Sequence, residues 1–172
     1  MPRLMLFRHA KSAWPEGVAD RDRPLAPRGL HAAPAMGAFI AVQDLLPQRV
    51  LVSPARRTVE TWIEVSRHWA PMPWQGFEER IYHASADELL DLLREQDVGA
   101  ADSLMLIGHN PGFEDLLALL VTPQERERLP RKYPTASLAV VDLPAAGWAS
   151  VAPGTGTLVR FATPRALGLE ED

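Results

Sequence analysis

The chain has 172 residues, 47% of them hydrophobic, with no cysteine and a formal net charge of −4. That length suits one domain with a single core. The missing cysteines exclude disulfides, thiolate catalysis and Cys-ligated zinc, and the acidic balance argues against a general nucleic-acid surface.

No run approaches the ~20 apolar residues of a membrane span, and the N-terminal apolar run is too short for a signal-peptide core. A cytoplasmic protein off the membrane is therefore expected. In chain order, Leu4–Phe7 predicts a short buried strand that ends abruptly in Arg8-His9. A helix follows over Gly29–Val42, then a strand over Val50–Val52. The next segment, SPARRTVET, predicts a helix over Pro54–Trp69, with Ser53 as its cap and Pro54 at its first position. Arg56 and Arg57 fall in its first turn. Ser85 and Glu88 form a capping box at the head of a helix over Ala86–Arg94.

A buried strand over Leu104–Ile107 runs into GHNPGFEDLL, placing His109 between that strand end and a helix over Phe113–Leu120. The charged, proline-bearing segment Thr122–Tyr133 predicts an exposed loop or short helix near a pocket rim. Leu138–Val141 reads as a further buried strand, and the alternating Leu158–Phe161 as a sheet edge. Strands alternating with helices imply an α/β sheet covered on both faces, with ligands gathering outside the carboxyl ends of the strands.

Arg8, His9, Arg57 and His109 all fall at such ends. A metal site does not suit them, since arginines repel a cation and no H-x-x-x-H spacing occurs. There is no G-x-x-x-x-G-K-[ST] loop and no G-x-S-x-G elbow, and the GTGT at Gly154–Thr157 precedes a strand rather than following one. What remains is a cation-lined pocket for a dianionic phosphoryl group, with imidazoles available for chemistry. An imidazole with an unperturbed pKa of about 6.5 is a competent neutral nucleophile. Arginines would stabilise charge on the equatorial oxygens of the transferring group.

Three segments carry a family resemblance. LFRHAKS resembles the R-H-G-x-S motif of the histidine phosphatase superfamily, VSPARRTVET its S-P-x-x-R-A-x-x-T segment, and LIGHNPG its second-histidine segment. Together with DRPLAPRG (Asp22 to Gly29), this ordered set is most similar to SixA-type phosphohistidine phosphatases, over Arg3 to about Leu120. The resemblance implies a single histidine phosphatase domain over 1–172, built as a three-layer α/β sandwich with a mostly parallel, phosphoglycerate mutase-like central sheet. It also implies a phosphohistidine intermediate with no metal or other cofactor. His9 would be the nucleophile, Arg8 and Arg57 would grip the phosphate, and His109 would donate to its oxygens.

The chain departs from the family pattern in two places. Ala10 replaces the motif glycine, and Pro15 stands where mutases carry Asn. Glu79, in EERIY, matches the segment that carries a general acid in mutases and larger phosphatases; the plain alternative is a surface carboxylate. Ser12 is a candidate phosphate donor or an ordinary turn hydroxyl, and Lys11 adds positive potential. His31, His68 and His83 are expected at the surface or at helix ends, and Trp62 and Trp69 in the core.

A monomer acting on a phosphohistidine-containing protein, a phosphotransfer domain or phosphocarrier, is the expectation. The alternatives are a phosphomonoesterase for small metabolites and a catalytically silent phosphate-binding module.

Overall fold

In the computed structural model, residues 1–96 and 103–169 are described. Six strands form one sheet in the order β3-β2-β4-β1-β5-β6: β1 Arg3–Arg8, β2 Arg49–Val52, β3 Trp74–Phe77, β4 Ser103–Gly108, β5 Leu138–Asp142 and β6 Thr157–Ala162. β3, β2, β4 and β1 are parallel, whereas β5 runs antiparallel to β1 and β6 antiparallel to β5. The α-helices among the described residues are α1 Pro27–Val42, α2 Arg56–Val65, α3 Ala86–Arg94, α4 Gly112–Leu120 and the short α5 Pro123–Glu127. None of the described helices is long and apolar enough to cross a membrane.

Strand alternation divides the core between the two faces of the sheet. Leu4, Leu6, Leu104, Leu106 and Val141 point toward α3 and α4, where Leu89, Leu93, Phe113 and Leu117 meet them. Met5, Phe7, Met105, Ile107 and Val140 point to the other face and pack with Met36, Ile40, Trp62 and Val65 of α1 and α2. Because both faces are covered, the inner strands read as continuous apolar runs. Trp62 and Trp69 are core residues, as expected, and meet edge to face at 5.9 Å.

Several elements differ from expectation. β3 was not foreseen: it is an edge strand whose Trp74 and Phe77 are exposed, so it carries no apolar run. Helix α2 begins at Arg56 with Ala55 as its cap, and Ser53 does not cap it. The Ser66 hydroxyl donates to Trp62 O and the helix ends at Val65, four residues short of Trp69. Around α3 the expectation holds, and Ser85 Oγ accepts from Glu88 N at 3.2 Å. Segment Thr122–Tyr133 contains α5, capped by the Thr122 side chain, but its last residue turns inward: Tyr133 is buried and its hydroxyl donates to Leu6 O.

The register brings the strand ends together. Phe7 pairs with Ile107 on one side and Leu138 on the other, and Val52 also pairs with Ile107. Beyond them, His9 N donates to Gly108 O at 2.9 Å and Ser53 N to Ile107 O at 3.0 Å. Arg8, His9, Ser53 and His109 therefore lie along one edge of the sheet.

Candidate active site

Two joined clefts open on that edge. The narrower, of about 230 Å³, is lined by Arg8, His9, Ser12, Arg23 and Arg57 among others. The wider, of about 480 Å³, is lined by Asp20, His83, Ser85 and Asp115 among others. Arg57, His109 and Asn110 belong to both.

His9 is held from three directions. Its amide is pinned to β4, and the next amide, Ala10 N, donates to Thr61 Oγ1 of α2 at 3.0 Å. Its ring Nδ1 lies 2.7 Å from Ala10 O. A carbonyl only accepts, so Nδ1 carries the ring proton and Nε2 keeps its lone pair. Burial pushes the imidazole down to about 3, with Arg57, Arg8 and Arg23 acting in the same direction and the Ala10 carbonyl opposing. His9 is thus a neutral ring with an available nitrogen at any ordinary pH.

The backbone under His9 depends on a close approach. A Cβ on Gly29, at the start of α1, would lie 2.2 Å from Lys11 O. Only glycine lets α1 sit this tightly against the turn after His9, which accounts for the final residue of DRPLAPRG.

The two arginines spend part of their guanidinium groups on the fold. Arg8 Nη1 donates to Tyr133 O at 2.6 Å. Arg57, only 5% exposed, donates from Nη1 to Asp20 O at 2.7 Å and from Nη2 to Asp20 Oδ2 at 3.1 Å. In each, Nε is buried and unpartnered, as is His109 Nδ1. Asp20 thus takes one N–H from each terminal nitrogen of Arg57, leaving the second N–H of each and the unpartnered Nε. Arg56 points away and pairs with Glu60 at 3.0 Å.

The His109 ring faces His9 with centroids 5.4 Å apart and planes at 54°. Its Nε2 lies 2.7 Å from Ser53 Oγ. Burial pushes this ring down to about 3 as well, followed by the effects of His9 and Arg57. Asn110 Oδ1 accepts from Glu114 N in the first turn of α4.

The remaining candidates divide. Ser12 lines the narrow cleft, but its hydroxyl accepts from Arg23 Nη2. Lys11 lies exposed at the same cleft. Glu79 lines neither cleft; it is exposed on a 3-10 turn after β3 and holds Arg21 through both carboxylate oxygens. That ion pair lowers its pKa, the wrong direction for a proton donor. His31 and His68 are exposed as expected, whereas the exposed His83 forms part of the wider cleft.

Sequence reasoning missed Arg23, Asp20 and Tyr82. Arg23 is buried, donates to Asp20 Oδ1, and stacks on the exposed Trp14 with Cζ 3.2 Å from the ring centroid. Tyr82 donates to Asp20 Oδ2 at 2.5 Å. This hydroxyl, followed by Arg23 and Arg57, holds the Asp20 carboxyl well below the usual range. The signal for Arg23 lies in DRPLAPRG, where it follows Asp22.

Comparisons with known proteins agree with this geometry. The sequence profile of the histidine phosphatase superfamily (branch 1) matches residues 4–104. The uncharacterized protein Rv1276c of Mycobacterium tuberculosis is 34% identical over 92% of this chain and 100% of its own length. A crystal structure from Agrobacterium tumefaciens, of a protein proposed to be the phosphohistidine phosphatase SixA, superposes with a TM-score of 0.81. It is 29% identical, over 95% of this chain and 99% of that one. A second protein proposed to be SixA, from Nakamurella multipartitia, gives a TM-score of 0.78 at 27% identity, over 95% and 96% of the two chains. With its sheet order, its paired histidines and these matches, the chain belongs to the histidine phosphatase superfamily and is SixA-like within it.

Proposed function

We propose that this protein is a phosphohistidine phosphatase: a single-domain, monomeric, cytoplasmic hydrolase that uses no metal or other cofactor. It removes the phosphoryl group from a histidine of a partner protein, a phosphotransfer domain or phosphocarrier, in signal transduction. The observation that carries the reading is a set of three buried nitrogens without partners, Arg8 Nε, Arg57 Nε and His109 Nδ1, on residues that line the same cleft as His9. Buried N–H groups left unpaired cost free energy, and a phosphoryl dianion would satisfy both guanidinium N–H groups and the imidazole in its Nδ1–H form.

In the first step His9 Nε2 attacks phosphorus. The substrate's P–N bond breaks and its electron pair leaves on the imidazole nitrogen, the ring having taken a solvent proton on its other nitrogen. Arg8, Arg57 and His109 hold the equatorial oxygens as charge spreads over them. In the second step a water oxygen attacks phosphorus, the bond to Nε2 breaks with its electrons returning to that nitrogen, and the water proton passes to phosphate or solvent. In-line displacement sends the leaving group away from His9, and the wider cleft beyond Arg57 and His109 is the space open to it.

A nitrogen leaving group needs little help from an acid, which suits a site that Glu79 does not enter. The positive charge that a metal would bring is already present on Arg8 and Arg57. Among the described residues, no three His, Cys, Asp or Glu side chains are placed to hold an ion. The two relatives proposed to be SixA phosphatases support the substrate class.

The test is phosphate release from a histidine-phosphorylated carrier protein and from para-nitrophenyl phosphate, with His9→Ala as control. The reading expects the phosphoprotein to be the better substrate and His9→Ala to release nothing. Hydrolysis of monoesters with the phosphoprotein untouched would make it a small-molecule phosphomonoesterase. Phosphate binding with no turnover of either would make it a binding module.

A further inference from the structure

Ser53 sits at the end of β2, fully buried, where a helix cap was expected. Its Oγ has two neighbours. Ala55 N donates to it at 3.5 Å, so that contact uses an oxygen lone pair. The other neighbour among the described residues is His109 Nε2 at 2.7 Å, an acceptor for the serine proton when that nitrogen carries a lone pair. With Ala55 N already donating to this oxygen, Ser53 Oγ–H donating to Nε2 is the arrangement that leaves no buried hydroxyl proton unpaired, and in a neutral ring the remaining proton then sits on Nδ1.

We infer that Ser53 is a positioning residue that locks His109 in its Nδ1–H form, so that the ring offers a donor to the phosphoryl group. The inference rests on the proposal that His109 contacts that group. In the opposite tautomer Nε2–H would donate to Ser53 and Nδ1 would turn a lone pair toward a dianion, which is repulsive. The two histidines then carry their protons on the same ring atom to opposite effect. In His9 the Ala10 carbonyl takes Nδ1–H and frees Nε2 to attack; in His109 the Ser53 hydroxyl takes Nε2 and frees Nδ1–H to donate. Without Ser53 the His109 ring is free to choose the form that opposes the reaction.

The position of Ser53 is set by the sheet. Its amide donates to Ile107 O at 3.0 Å, two residues before His109, and its carbonyl accepts from Thr58 Oγ1 at 2.7 Å. The residue is therefore tied to β4 through its amide and to α2 through its carbonyl.

The test uses the full chain labelled with ¹⁵N-histidine, with the His109 signals assigned through His109→Gln. Two-bond ¹H–¹⁵N spectra of the wild type, with and without vanadate, should show His109 protonated on Nδ1. In Ser53→Ala the Nε2–H form should grow, and kcat should fall about 10–100-fold, as it does when the hydrogen bonds that orient metal-bound imidazoles are removed. Ser53→Thr, which keeps the hydroxyl, should recover both readouts. A wild-type His109 protonated on Nε2 overturns the inference without any variant. So does a Ser53→Ala protein with unchanged kcat, or one whose kcat falls while Nδ1–H persists. Failure of the proposed function would look different: no phosphoryl group would reach His9, whatever the tautomer of His109.

Discussion

Asp20 holds Arg57 by two oxygens at once, its backbone carbonyl at 2.7 Å from Nη1 and its carboxylate at 3.1 Å from Nη2. The same carboxylate takes Arg23 Nη1 and the Tyr82 hydroxyl, so one residue fixes the loop after His9 against both α2 and the turn after β3. Asp20→Ala should leave Arg57 loosely aimed and lower kcat by about tenfold or more, as one misdirected transition-state donor does. Inorganic phosphate should bind at least as tightly, because a negative charge has left the site. Kinetics alongside phosphate titration separates the two effects, and an unchanged kcat would show that Arg57 needs no such anchor.

Glu79 offers a contrasting case. It is 66% exposed at the side chain and turned onto Arg21. Glu79→Gln should leave hydrolysis of a phosphohistidine protein within about threefold of wild type, as surface changes away from a site generally do. A loss of 100-fold or more on that substrate would restore Glu79 as a proton donor and require the Arg21 pair to open during turnover.

Acid should destabilise the fold through the two site histidines. Free imidazoles take a proton near 6.5, whereas burial holds His9 and His109 neutral down to about 3. Between those values the unfolded chain binds more protons than the folded one. Stability is therefore full above 6.5 and falls as pH drops through that window. Each proton accounts for at most about 1.4 kcal/mol per pH unit. Urea midpoints from pH 7 to 4 should decline, and His109→Gln should make the decline shallower; a slope that the variant does not change would contradict the assignment.

Gly29→Ala should destabilise the protein by about 1–3 kcal/mol, the usual cost of overpacking. Its new methyl would meet the Lys11 carbonyl, which is backbone and cannot swing aside. Since Lys11 lies two residues beyond His9, vanadate affinity should fall with stability. Wild-type affinity would show that α1 can shift without disturbing the site.

Much of this was legible because the buried strands announce themselves. Leu4–Phe7 and Leu104–Ile107 are covered on both faces, so their apolar runs stand out, and the chemistry-bearing residues follow directly at their ends. β3 escaped because an exposed edge strand has no such run. The all-apolar pattern of Leu138–Val141 carries no strand direction, so its antiparallel pairing with β1 could not be seen in the residues alone.

Ser53 was misread for a different reason. Ser-Pro before a helix is a good local cap signal, but the tertiary contact to His109 claimed the hydroxyl. Asp20, Arg23 and Tyr82 converge from loops and turns with no periodicity. Only the folded chain shows them meeting.

The proposed attack runs through His9 Nε2, because the Ala10 carbonyl occupies Nδ1. The direct measurement is to phosphorylate the enzyme with a phosphohistidine protein, quench it in alkali, and locate the label by mass spectrometry and ³¹P–¹⁵N NMR. The account predicts phosphorus on His9 at Nε2 and no label in His9→Ala. Phosphorus on Nδ1, on another residue, or on no residue while turnover proceeds would contradict it.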